Sequence, residues 1–345
     1  MVPERPPQRA LRGHRPHRPT PRTAATGDHL ARLASHLTPR DRWLARMLHE
    51  HHVLTTHQIA ALAWSSRRAA NLRLLQLYKW RVVDRFQPFV TSGSAPMHYV
   101  LDIAGAAALA HEHGLDVRDL NYRHDRALGI AHSLRLAHTI GVNSFFTALV
   151  ARGRRPHAPG HLTAWWSETR CAQLFGDLVR PDAYGRWLED HSELEWFLEF
   201  DRGTERPASR LATRITGYAQ LATTTGIITP VLVWLPTTQR EASVRRALAE
   251  TVGSLADPSL VPLGTTSTDL IADAERTDPA MSRWMPLHRH KVPGRLRLAE
   301  LHRVWEHVLP LPESPAVGTR RRAPSGGRLP PPDPMPPPLP HAITE

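Results

Sequence analysis

Arg180-Pro181-Asp182 and Leu198-Glu199-Phe200-Asp201 place three carboxylates at the ends of two runs of β-forming residues. Alternation puts Glu199 and Asp201 on one face of their strand, together with Phe197. If the two strands pair as a hairpin, Asp182 approaches them. Carboxylates gathered in this way repel one another unless a cation sits between them. Mg²⁺, held by one or two acids plus waters, is the candidate ion, with Asp182 and Glu199 as its ligands. With phosphate as a further ligand, such a site suits metal-assisted phosphodiester hydrolysis. The candidate catalytic acids are therefore Asp182, Glu199 and Asp201. The same spacing also fits a surface hairpin whose acids are solvated or paired with Arg202, Arg206 and Arg214.

A second constellation is basic. Arg67, Arg68, Asn71 and Arg73 lie on one predicted helix, with Ala70, Leu74 and Leu77 left to face inward, and Arg85 lies in the hairpin that follows. These side chains suit phosphate contacts and base-edge readout of duplex DNA. The elements that would position them are legible. Thr38-Pro39-Arg40-Asp41 combines a capping hydroxyl, a proline at the first helical position and an acid in the first turn. Thr55-Thr56 caps a second short helix, and Ser65-Ser66 opens a third, running from Arg67 to about Trp80. Val82 to Phe86 and Met97 to Leu101 read as strands joined by the turn-rich loop Thr91 to Pro96. Three short helices and a hairpin make a winged helix-turn-helix over residues 37–114.

The remaining elements predict an α/β domain over residues 120–305. A long helix spans about Arg126 to Ala151, with Leu128, Leu134, Ile140, Phe145, Phe146 and Leu149 as core candidates. Strands follow at Leu162 to Trp166, Val179 to Trp187 and Leu194 to Phe200. A helix from Pro207 to Leu221, a strand from Ile228 to Leu235, a helix from Glu241 to Val252 and a strand near Leu260 to Leu263 complete it. The fold class is α+β, an N-terminal winged helix-turn-helix followed by a mixed-sheet α/β domain. Residues 1–36, rich in Arg, Pro and His, predict a flexible basic arm, and residues 312–345 a disordered proline-rich tail.

The 345 residues carry a formal net charge of +12. The excess is uneven: +5 on residues 1–37, +4 on 38–113, +1 on 114–318 and +2 on 319–345. The charge thus favours a polyanionic partner for the first third, while the middle is nearly neutral. One cysteine, Cys171, excludes a disulfide framework and a Cys-rich zinc site, and reads as a small buried residue. No apolar run reaches membrane-spanning length, and the basic start lacks a signal-peptide core, which predicts a cytoplasmic protein. His49-Glu50-His51-His52 misses the His-Glu-x-x-His metal spacing. His111 with His113, and His288 with His290, read as surface pairs. Trp165, Trp166 and Trp196 sit in β-type runs and read as core.

Helix, Pro-Asp strand and Glu-x-Asp strand together resemble the PD-(D/E)xK restriction-endonuclease-like superfamily. There the Pro-Asp lies on the second strand and a Glu-x-Lys on the third. Asp182 and Glu199 match, whereas Asp201 stands where the lysine is expected. The resemblance implies Arg214, on the following helix, as the replacement positive charge. Its high pKa makes it a poor water activator, though it can stabilise developing negative charge, and it completes the candidate catalytic set of Asp182, Glu199, Asp201 and Arg214. Leu37-Thr38-Pro39-Arg40-Asp41, Leu54-Thr55-Thr56-His57-Gln58-Ile59, Gly93 to Asp102, Trp166-Ser167-Glu168, Arg180-Pro181-Asp182 and Glu199-Phe200-Asp201-Arg202-Gly203-Thr204-Glu205 resemble the replication-relaxation family of plasmids and mobile elements. That resemblance implies double-stranded DNA as partner, a role in replication or relaxation of a mobile element's DNA, and replication or transfer proteins as further partners. Three readings stay open: DNA binding and assembly, a Mg²⁺-dependent nicking nuclease, and a winged-helix factor that contacts proteins.

Overall fold

The structure, a computed structural model, describes residues 18–24, 26–203, 209–270, 278–287, 294–305, 308 and 329–338. The chain divides into two units, Met1–Thr147 with Arg320–Glu345, and Ala148–Thr319. The architecture is mixed α+β, with one three-stranded antiparallel sheet and one six-stranded mixed sheet.

The first unit begins with α1 (Pro21–Ala24) and α2 (Gly27–Ala34), so residues 18–24 and 26–36 are structured where the sequence predicts a loose arm. Residues 1–17 of that arm lie outside the described residues. Ala24 and Leu33 supply the buried contacts of these helices. Next, α3 (Pro39–His51) starts on a reciprocal cap. Asp41 accepts from the Thr38 backbone N–H at 2.8 Å, and the Thr38 hydroxyl accepts from the Asp41 N–H at 3.3 Å. Thr55, the last residue of β1 (Leu54–Thr55), repeats the device with Gln58 at the head of α4 (Thr56–Ala63). Ser66 caps α5 (Arg67–Lys79), and Ala70, Leu74 and Leu77 are buried along it as the periodicity predicts. A hairpin of β2 (Val83–Phe86) and β3 (His98–Leu101) follows, and β1 adds to its β3 edge. Asp102 then caps α6 (Ile103–Glu112).

The single long helix predicted from Arg126 divides into α7 (His124–Gly129), a 3₁₀ turn and α8 (Leu136–Gly153). The break falls at Ser133, whose backbone is extended and whose hydroxyl accepts from the Arg135 N–H at 3.1 Å, so the side chain competes with the helix. Leu134 is 97% exposed there and is no core residue. Gln58 and Asn143 tie the start of α8 to α4 and β1. Gln58 Nε2 donates to Ile140 O at 2.9 Å, and Asn143 Nδ2 to Val53 O at 2.7 Å.

The proline-rich segment 329–338 also differs from expectation. It lies on α3, with Leu329, Pro332 and Pro334 buried. Trp43 Nε1 donates to Asp333 O at 2.7 Å, and Arg40 Nη2 to Pro337 O at 2.6 Å. The rest of that tail, 312–328 and 339–345, lies outside the described residues.

In the second unit β4 (Gly160–Ser167) leads into α9 (Glu168–Phe175), a helix the sequence reading missed. Then come β5 (Ala183–Glu189), β6 (Ser192–Phe200), α10 (Ser209–Thr225), β7 (Val231–Leu235), α11 (Thr238–Gly253), β8 (Leu263–Ser267) and β9 (Met285–Pro286). The sheet order is β4-β5-β6-β7-β8-β9. Strands β4, β5 and β6 form an antiparallel meander, β6, β7 and β8 are parallel, and β9 is antiparallel to β8. Parallel pairing requires long crossovers, which α10 and α11 supply. Their buried faces, including Ile215, Val244 and Leu248, pack on Phe197, Val231 and Val233. Trp165 and Trp196 are buried, and Cys171 is fully so. No helix among the described residues is long and apolar enough to cross a membrane.

Candidate functional site

The acidic constellation is assembled by a turn. Asp190 and His191 adopt φ of 51° and 60°, the positive values that a two-residue type I′ hairpin demands. The turn fixes the register of β5 against β6, pairing Glu189 with Ser192 and Ala183 with Leu198. Asp182 then lies beside the end of β6, its N–H donating to Leu198 O at 3.0 Å and its Oδ2 accepting from the Phe200 N–H at 2.8 Å. Glu199 follows on the neighbouring strand, and its charge and that of Asp182 interact.

α10 closes over this pair. A Cβ on Gly217 would come within 2.6 Å of Leu178 O, so the absence of a side chain lets the helix approach the loop that leads to Asp182. Arg214 and Tyr218, on the same helical face, both reach Glu199. Arg214 Nη1 pairs with Oε2, and the Tyr218 hydroxyl donates to Oε1 at 2.6 Å. Glu199 is only 2% exposed. Burial pushes its carboxyl up to about 8, the Asp182 charge adds to that rise, and Arg214 opposes it. Burial likewise pushes the Tyr218 hydroxyl well above its usual range.

Asp201 does not join them. Its Oδ2 accepts from Arg240 Nε at 2.8 Å and its Oδ1 from the Gly203 N–H at 2.5 Å. Arg240 caps the same region from the first turn of α11, so Asp201 is held by a guanidinium of its own. The three acids expected to converge thus separate into Asp182 with Glu199, and Asp201 with Arg240. Both Glu199 oxygens and one Asp182 oxygen already accept from protein donors. This donor set does not fit Mg²⁺, which asks for several oxygens in octahedral array with waters.

The basic constellation also divides. Arg67, Asn71 and Leu75 from α5, with Arg85 and Tyr99 from the hairpin strands and Ser94 to Met97 from its loop, line one concave surface of about 520 Å³. Thr56 and His57, at the head of α4, complete the wall, and no carboxylate lines it. Arg67 and Arg68 are exposed. Arg85 lies 4.3 Å from the centroid of the Tyr78 ring, which holds its guanidinium against the hairpin. Arg73 belongs to a different network. Its Nε donates to Asp41 Oδ1 at 2.9 Å and its Nη2 to His36 O at 2.9 Å, so it joins α5 to the start of α3 instead of facing this surface.

A further cluster escaped sequence reasoning. Asp84 lies within β2, Asp102 caps α6 and His124 opens α7, and their ligand atoms lie within 4.8 Å of one another. Arg18 enters between the acids, 3.1 Å from Asp84 and 2.5 Å from Asp102, and Arg81 lies 3.2 Å from Asp102. Two guanidiniums therefore supply the compensating charge here. Burial raises the Asp102 carboxyl, while the hydrogen bond to Asp84 raises His124. Arg18 also stacks 3.8 Å from the centroid of Tyr78, the ring that carries Arg85. Distances of tens of residues between these groups left no local signal.

A family model described as replication-relaxation matches residues 46–232. No curated protein and no solved structure matches the chain. The matched span takes in α4, α5, the hairpin, Asp182 at the entry to β5 and Glu199 on β6, and the chain belongs to the replication-relaxation family.

Proposed function

We propose that the chain binds double-stranded DNA through its first unit, used as a winged helix-turn-helix with α5 as the reading helix and the β2–β3 hairpin as the wing. The observation that carries this reading is the concave surface where Arg67 and Asn71 of α5 and Arg85 of the hairpin meet without an opposing carboxylate. A helix and a hairpin sharing one cationic, acid-free surface suit phosphate contacts flanking base readout in a groove. The work of the protein, in replication or relaxation of plasmid or mobile-element DNA, is then binding and assembly on that DNA.

A labelled duplex titrated with the full chain tests this by fluorescence anisotropy. Arg67→Ala/Arg68→Ala should weaken binding and lower the salt slope by about two, roughly one for each phosphate contact removed. Equal affinity and equal slope in the two proteins would overturn the reading.

The second unit favours a companion reading. Its order of helix, three antiparallel strands, helix and parallel strand, with Asp182 beside Glu199, suits a nuclease-like fold of the PD-(D/E)xK type. Arg214 and Tyr218 occupy Glu199, and Arg240 occupies Asp201, so we read this fold as kept without efficient hydrolysis. Supercoiled plasmid incubated with the chain and Mg²⁺ or Mn²⁺ should stay uncut. Nicking that disappears in both Asp182→Asn and Glu199→Gln would replace this reading with a nuclease.

A further inference from the structure

Residues 329–338 read Leu-Pro-Pro-Pro-Asp-Pro-Met-Pro-Pro-Pro. Seven of the ten are prolines and carry no backbone N–H. Such a segment has few donors to offer a sheet edge, yet all its carbonyls remain acceptors. It is stiff in advance, so little entropy is lost when it docks, and aromatic or cationic donors that reach its carbonyls are its natural partners.

α3 presents such donors one helical turn apart. Trp43 offers its indole N–H to Asp333 O and Arg40 a guanidinium N–H to Pro337 O. Leu329 and Pro332 are buried while Pro330 and Pro331 are exposed, the three-residue repeat of a polyproline II turn. At Asp333 the side chain accepts from the Met335 N–H at 2.9 Å, and this bend brings Pro334 inward.

From these contacts we infer that α3 carries a recognition site for a proline-rich peptide, and that the chain's own Leu329–Pro338 is its ligand, held reversibly. The site is wired to α5. The same Arg40 guanidinium that donates to Pro337 O also donates through Nη1 to Ala63 O, the last residue of α4. A bound segment fixes Arg40 and with it the turn Trp64 to Ser66 from which α5 starts. This inference does not depend on what α5 contacts.

A specific protease site inserted between Gly318 and Thr319 of the full chain allows the segment to be cut free without removing it. After cleavage the C-terminal fragment should co-elute with the body on size exclusion. A fluorescein-labelled peptide of residues 326–341 should displace it in a saturable manner. Replacing Pro332 and Pro334 of the peptide by glycine should weaken binding. Trp43→Phe, which keeps an aromatic ring and removes the N–H, should weaken it about tenfold, the worth of one hydrogen bond. Amide exchange at Trp64 to Ser66 should accelerate when the fragment is washed away and recover on adding peptide. A fragment that elutes alone with no uptake of the peptide would overturn the inference, as would equal binding of a scrambled peptide. Uptake that leaves exchange at Trp64 to Ser66 unaltered would overturn the link to α5.

Discussion

The two units use the same residue type in opposite ways. In the first, Arg67 at the head of α5 and Arg85, which leans on Tyr78, leave cationic edges on a concave surface that no acid lines, and Arg68, next to Arg67 in the chain, is exposed. In the second, Arg214 and Arg240 are each spent on a buried carboxylate, Glu199 and Asp201. A guanidinium in the first arrangement remains able to meet a phosphate. In the second it is tied to a buried acid of its own chain and is withheld from a phosphate. Interaction with a polyanion is therefore expected from one unit, and internal stability from the paired arginines of the other. Within the first unit Arg18 and Arg73 follow the second pattern, which shows that position relative to acids, and not arginine count, separates the roles.

The largest effect expected is on stability, from Arg18. Asp102 is fully buried and has Arg18 and Arg81 as its cationic partners. Arg18→Ala leaves Arg81 and His124 to compensate and should cost about 3 kcal/mol, a fall of roughly 6–12 °C in the melting of that unit. Deleting residues 1–29 should do at least as much, contrary to the loose arm that composition suggests. A melting temperature unchanged by both would show that the Arg18 pairings contribute nothing in solution and would place Arg18 with Arg67 instead.

Next in size is a pH effect in the second unit. Glu199 has its carboxyl raised from 4.5 to about 8. Between those values the folded chain holds a proton that the unfolded chain has released, so stability falls as pH rises through this window. Glu199→Gln should flatten the pH dependence of melting between about pH 5 and 8 and should melt higher than wild type at the alkaline end. A wild-type profile that is flat across that range would mean Glu199 is ionised throughout, held by Arg214.

A smaller effect is expected from Asp201→Asn. Arg240 loses its ionic partner but keeps a hydrogen-bond acceptor, and the cost should be about 1 kcal/mol. Duplex affinity should not change.

Much of this contrast was legible in the sequence, and what was missed has a common cause. Local signals held: the Thr38 and Thr55 caps, Ser66, and the inward set Ala70, Leu74 and Leu77 all act within a few residues of the helix they define. Pairings across the fold left no trace. Arg73 shares its helix with Arg67, yet it is Asp41, far back in the chain, that removes it from the surface. The same holds for Arg18 with Asp84 and Asp102, and for Trp43 with Asp333. Helix α9 is short and starts directly from β4, and Gly176 ends it, so no periodic stretch announces it. Strand β8 runs past Leu263 into Thr265, Thr266 and Ser267, which are fully buried polar residues that an apolar pattern does not find. The adjacency of Asp182 and Glu199 was readable from the hairpin pairing of their two strands. The separation of Asp201 was not, because it depends on Arg240 arriving from α11.

Duplex affinity measured against salt for three full-length proteins tests the central claim most directly: wild type, Arg67→Ala/Arg68→Ala and Asp182→Asn/Glu199→Gln. The account predicts that the first-unit variant loses about two from the slope of log affinity against log salt, while the second-unit variant keeps the wild-type slope and affinity. A second-unit variant that alters binding, beside a first-unit variant that does not, would contradict it.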